Sequence, residues 1–197
     1  MVLARKWRFT RRQGLGIALA LLIWSGVPAQ SDDPGHFEVQ TAHDELIDGT
    51  YYIDAQIYLR LSTEAANALH SGLPLTIRIE AEYLRRLRLW WDTTAAMASW
   101  RFQLTYHPIT DRYVVLDTDS GAREAFKTLT DALEFIGHVD RLPVVAASEL
   151  DDDLRYDVRV RAVLDKTKFP GALALFAFAR RDWSIASDWW QWRLDEE

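Results

Sequence analysis

The side chains that could carry catalysis in this chain are scattered. Its five histidines, His36, His43, His70, His107 and His138, include no pair at i, i+2 or i, i+4, the spacings by which one strand or helix offers two imidazoles to zinc. Cysteine is absent, which excludes disulfides, thiolate nucleophiles, thiolate metal sites and lipid attachment through a cysteine. There is no Gly-x-Ser-x-Gly elbow, no Ser-x-x-Lys motif and no glycine-rich phosphate loop. Asp117 and Asp119 in "DTDSG" have calcium-loop spacing, but Thr128 stands at the twelfth position, where a bidentate acid belongs. The acidic run "ELDDDL" reads as a solvated loop. Asp54, Glu80, Glu82 and Asp157 fall on polar faces beside Arg78, Arg101 and Arg159. That is the pattern of cross-strand ion pairs, and nothing picks out two of them as a glycosidase pair. No catalytic residue, cofactor site or metal site is singled out, and the chain reads as a non-enzyme.

The aromatic residues are the other candidates. Nine tryptophans occur in 197 residues, three of them in "SDWWQWRLDEE" at the chain end. If that stretch is a strand, Trp190, Trp192 and Leu194 point one way and Trp189, Gln191 and Arg193 the other. The first set matches the apolar faces upstream and is expected in the core, where each large ring removes about 150–250 Å² from water. In "LWWD" the same logic turns Trp91 inward and Trp90 outward. Trp90 and Trp189 are therefore the candidate recognition patch. The competing reading of Trp189 is a stack on an arginine of a neighbouring strand.

These side chains must be positioned by strands. In "YYIDAQIYLRL", Tyr51, Ile53, Ala55, Ile57, Leu59 and Leu61 share a face, and "FEVQTA" places Phe37 and Val39 together. Asp48-Gly49 between them predicts a hairpin. "LSTEAANALHSG" changes to helical spacing, with Ser62 or Thr63 as cap and Gly72 as stop. Residues 75–91 alternate again, broken at Arg85, which predicts a bulge or a break into two strands. "DTTAA" is expected to turn into a strand through Trp100, Phe102, Leu104 and Tyr106. "YVVLD", the "TDSG" turn and "REAF" follow as a second hairpin. "TLTD" opens a second helix ending near Gly137, and "RLPVVAASELDDD" reads as a loop with at most a short strand. "LRYDVRVRAVL" alternates, with Tyr156, Val158, Val160, Ala162 and Leu164 inward. Clean alternation implies strands with one wet and one dry face. The fold class is α+β: mainly antiparallel β-sheet, one-sided or sandwich-like, with two or three short helices.

The first 29 residues stand apart. Five basic residues and no acid precede an uncharged apolar run of 14, and Val27 and Ala29 supply a small-x-small site. This is the layout of a secretory signal peptide, and an uncleaved N-terminal anchor is the alternative. The run is short for a span of about 20 residues. "TRRQGL" also touches the twin-arginine export pattern. The expected organisation is a signal peptide or anchor over 1–29, a linker over 30–35 and one β-rich domain over 36–197. The leader holds five of the 23 Lys and Arg and none of the 29 Asp and Glu, so the remainder carries 18 bases against 29 acids. Such a balance argues against binding nucleic acid or anionic lipid headgroups. Membrane contact is expected only through residues 1–29, if they are retained.

The block "RRDWSIASDWWQW", together with "RLRLWWD" and "FKTLTDALEFIG", resembles the bacterial family catalogued as domain of unknown function 4390 (DUF4390). The three blocks occur in the family's order, and the likeness covers nearly everything after the leader. The resemblance implies an exported proteobacterial protein whose genes neighbour a membrane sensor kinase of the nitrogen-regulation type. It defines no catalytic or binding residue. The expected function is that of a periplasmic accessory or binding protein whose partner is an envelope or membrane protein. The alternative is a carrier of a small apolar or glycan ligand, held between sheet and helices under residues 168–180, and a hydrolase is the weakest reading.

Overall fold

In a computed structural model of the chain, Asp48 and Gly49 close a two-residue turn between β1 (His36–Ile47) and β2 (Thr50–Arg60). Both have positive φ, 49° and 76°, as the primed turns that match strand twist require. The structure describes residues 33–86, 93–151, 153–165 and 183–194. β1 is longer than its sequence pattern suggests, because "HDELI" belongs to the strand rather than to the connection. A bulge between Val39 and Thr41 inserts Gln40. The inward parity passes there from Phe37 and Val39 to Ala42 and Asp44, which hides the alternation.

β2 is flanked on its other side by β7 (His138–Ala146), giving a three-stranded antiparallel sheet in the order β1-β2-β7. The loop expected over "RLPVVA" is thus a strand. Its alternation is disguised by Arg141 at φ 49° and by two register shifts against β2. Pro143 is tolerated because β7 is an edge strand, where a missing N–H removes no ladder bond.

The second sheet holds β3 (Leu75–Arg85), β4 (Thr93–His107), β5 (Arg112–Asp117), β6 (Arg123–Phe126), β8 (Tyr156–Leu164) and β9 (Trp190–Arg193). They run antiparallel in the order β6-β5-β4-β3-β8-β9. The irregularity expected near Arg85 is a bulge between Tyr83 and Leu84. Residues 93–96, expected in a turn, are already strand. Leu87, Leu89, Trp90, Trp91 and residues 168–180 lie outside the described residues. The dry faces of both sheets share one core, with Ile53, Ile57, Ile77, Ile79, Val158 and Val160 almost fully buried. Each such side chain contributes about 1.5–3 kcal/mol.

Helix α1 (Thr63–His70) is capped by Ser62, whose Oγ accepts from the amide of Ala65 at 3.2 Å. Helix α2 (Leu129–Gly137) is capped by Thr128, which accepts from Asp131 at 3.0 Å. A 3₁₀ turn spans Ala147–Glu149. Among the described residues no helix is long and apolar enough to cross a membrane. The architecture is α+β and mostly antiparallel sheet, as the alternation predicts.

Candidate ligand-binding cleft

The outer face of the six-stranded sheet carries the charged residues. Register places Glu80 opposite Arg161 and Glu82 opposite Arg159. Arg161 Nε donates to Glu80 at 2.6 Å and Arg159 Nη2 to Glu82 at 2.6 Å. Arg78 joins Glu80 to the buried Asp165, and Arg86 lies 3.4 Å from Asp157. Arg101, by contrast, stands across from Arg78 and reaches towards Asp119. These acids are tied into a cross-strand ladder of ion pairs. Trp189 lies against this face. The guanidinium carbons of Arg159 and Arg161 are each 4.2 Å from its ring centroid, so its π-face is already engaged within the chain. Trp90, the other half of the expected patch, is outside the described residues.

At the inner side of β9, Trp192 is half-buried, and its indole N–H donates to Asp44 of β1, joining the two sheets. Trp190 has the inward parity opposite Val160 yet is 40% exposed, against the core expectation. β9 is a four-residue edge strand. Parity fixes the direction of a side chain, and among the described residues no strand pairs with the outer edge of β9. Beside Asp44, the buried Tyr83 hydroxyl has no hydrogen-bond partner among the described residues. Burial, then the charge of Asp44 and the neighbouring Tyr51, pushes its pKa far above that of an ordinary phenol.

A third cluster joins α1 to β4 and β5. The Tyr113 hydroxyl lies 2.6 Å from His70 Nε2, and Tyr106 donates to Asp111 at 2.9 Å. The bond to Asp111, then burial, raises the pKa of Tyr106, while burial, then the charge of Asp111, raises that of Tyr113. Raised above the ordinary phenol value, neither phenol is suited to act as a general base near neutral pH. Asp117 is held within its own turn. It accepts from the amides of Asp119 and Ser120 and from the Ser120 hydroxyl at 2.6 Å. Burial pushes its carboxyl up, but these three bonds outweigh it and leave the pKa below the usual carboxylate value. Among the described residues no three His, Asp or Glu are grouped to hold a metal ion.

A concavity opens elsewhere. β7 pairs with β2 only as far as Gln56 opposite His138, and α2 takes over the flank beyond. Gly137, at the end of α2, lies so close that a Cβ there would collide with the Ile57 carbonyl. Between α2, α1 and the flank of β2 opens a cleft of about 560 Å³. Its apolar wall is Ile57, Leu59, Leu61, Ala66, Leu129 and Leu133, and its rim is Gln40, Gln56, Tyr58, Arg60, Glu134 and His138. His138 Nδ1 lies 3.1 Å from Gln56 Oε1, and Arg60 is ion-paired with Asp33. A smaller hollow of about 230 Å³ adjoins it, bordered by Thr41, His43, Asp54 and Asp140. There Asp54 accepts from the amide of Arg141 at 3.1 Å. An apolar wall under a ring of donors and acceptors can bind and orient a ligand. Sequence reasoning missed this cleft, because it depends on where β7 parts from β2, and that point leaves no period in the sequence.

Comparison with known proteins fits this arrangement into a family. The model described as "Domain of unknown function (DUF4390)" matches residues 35–193. The chain belongs to the DUF4390 family. The matched span holds both sheets, both helices and all the wall and rim residues of the cleft. No curated protein and no solved structure matches the chain.

Proposed function

We propose that this DUF4390 protein is exported and serves in the periplasm as a non-enzymatic binding protein of the cell envelope, accessory to a membrane sensor. In this reading its ligand sits in the cleft between β2 and α2 rather than on the Trp90 and Trp189 patch. The observation that carries it is the combination of a cleft of about 560 Å³, an apolar wall and a polar rim, within the size range of ligand sites. The engagement of Trp189 by two arginines supports moving the site away from that residue. Export rests on the basic, apolar and small-residue layout of residues 1–29.

A photo-crosslinking residue at Thr130, exposed on the α2 rim, tests the site in living cells. Ile109, 99% exposed on the turn between β4 and β5 and not part of the cleft lining, is the control. Adducts at 130 and none at 109 are expected, and equal patterns at the two positions overturn the assignment. Fractionation with N-terminal sequencing checks export. A cytoplasmic protein beginning at Met1 refutes it. The second reading, a carrier of a small apolar or glycan ligand, is favoured by Tyr58, whose ring stands 44% exposed on the rim where a sugar could stack.

A further inference from the structure

We infer that the β2/α2 cleft takes an extended peptide, which adds to the three-stranded sheet along the edge of β2 that β7 leaves open. The inference rests on the cleft being the binding site and names the class of its occupant. Five consecutive residues, 57–61, line the cleft. A strand face presents only every second residue, so it is the edge of the chain that borders the space.

The direction of the backbone groups supports this. On the β7 side, the Gly49 carbonyl accepts from Ala147 at 2.8 Å, and the Ile57 carbonyl is the group that Gly137 backs onto. On the β1 side, the Arg60 carbonyl faces Gly35. Odd-numbered carbonyls of β2 thus point towards β7 and α2, and even-numbered ones towards β1. The N–H and C=O of Leu59 therefore point into the cleft, and among the described residues no strand pairs with β2 beyond Gln56 on that side.

A backbone donor and acceptor left open at a strand edge are complemented best by another backbone, as in strand addition. Natural edges are blunted by lysine, proline or bulges. β7 has Pro143 and β1 has its Gln40 bulge, whereas Ile57, Tyr58 and Leu59 carry none of these devices. Leu129 and Leu133, four apart on α2, supply the facing wall. Beyond Ile57, where Gly137 already abuts the strand, residues 58–61 at ~3.3 Å each give a bed of ~13 Å. A strand laid there would turn alternate side chains onto Leu59 and Leu133 and the others to the rim at Tyr58 and Arg60. The occupant is accordingly a segment in which apolar and polar residues alternate.

The test uses the purified mature protein and an octapeptide array in which Val or Leu alternates with Thr or Gln, against the same compositions arranged in blocks. Alternating peptides are expected to bind at least tenfold tighter. N-methylation of the central apolar residue of the best binder should weaken it at least tenfold, and its binding should slow hydrogen exchange of the Leu59 amide. Glu134→Trp, a substitution at an exposed α2 position, should block binding and leave the melting temperature unchanged. Equal binding of alternating and block peptides, or tolerance of N-methylation, overturns the inference. Chitotetraose is the parallel probe. If it binds and Glu134→Trp blocks it while the peptides stay silent, the peptide inference falls and the cleft remains the site. Silence of both probes, with no Thr130 adduct, removes both.

Discussion

Replacing Gly137 with alanine adds one methyl group at the seam between α2 and β2. Gly137 has an ordinary helical backbone, so the change is steric rather than conformational. A Cβ there would fall under 3.0 Å from the Ile57 carbonyl oxygen and 3.2 Å from its carbon. Ordinary carbon–oxygen contacts are ~3.3–3.6 Å, so the helix end must withdraw or the strand must bend. Both are pinned: Ile57 and Ile136 are each 1% exposed, and the obstructing atom is backbone rather than the tip of a flexible side chain. Helix propensity favours alanine over glycine by up to about 1 kcal/mol, less at a final helical residue. Overpacking against a fixed neighbour costs about 1–3 kcal/mol. The steric effect should win by about 1–2 kcal/mol, which lowers Tm by about 2–8 °C at 2–4 °C per kcal/mol for a domain of this size. Thermal melts followed by far-ultraviolet circular dichroism measure it directly. A variant that melts at or above the wild type refutes the claim that α2 lies directly against the strand.

Three further perturbations address the other clusters. Tyr83→Phe removes a buried hydroxyl that lacks a hydrogen-bond partner among the described residues. Since such a group costs about 1–3 kcal/mol, urea denaturation should show the variant more stable than the wild type, and a lower midpoint counts against the assignment. Trp189→Ala takes away the ring beneath two guanidinium groups and should cost about 1–2 kcal/mol, from two contacts of about 0.5–1 kcal/mol each; an unchanged urea midpoint would show the stack to be idle. Asp117 has a carboxyl pKa lowered in the folded state. Its charge therefore stabilises the fold above the unfolded value of about 3.9, and that contribution is lost as pH falls through the lower folded value. Asp117→Asn should melt below the wild type at pH 7, with the gap closing as pH drops below about 4. A gap that persists undiminished at pH 2 rules out the linkage.

Much of the sheet architecture was legible because one face of each long strand is dry. In β2, β3 and β8 the burial of alternate residues follows the apolar pattern almost residue by residue. The caps at Ser62 and Thr128 and the turn at Asp48-Gly49 were legible because each depends on local chemistry. What escaped was set by bulges and edges. Gln40 reverses parity within β1, Arg141 and Pro143 disguise β7, and Trp190 stands 40% exposed on the edge strand β9 despite its inward parity. The ion pairs of Glu80 and Glu82 could be anticipated from their wet-face positions beside arginines. The cleft could not, since it is a gap between a strand and the helix that replaces its neighbour. Only the paired register shows where that gap begins.

The place of β3 between β4 and β8 has a consequence for the order in which the molecule assembles. β4, β5 and β6 can follow β3 as a meander, each strand meeting the one just made. The partner on the opposite flank arrives much later: Arg159 meets Glu82 across 77 residues of chain. Contacts so distant in sequence close slowly. Until Tyr156–Leu164 docks, Ile77, Ile79 and Ala81 belong to an incomplete layer with an open border. A chain shortened before β8 should therefore be cut by proteases and prone to stick to its own kind, even with every earlier strand intact.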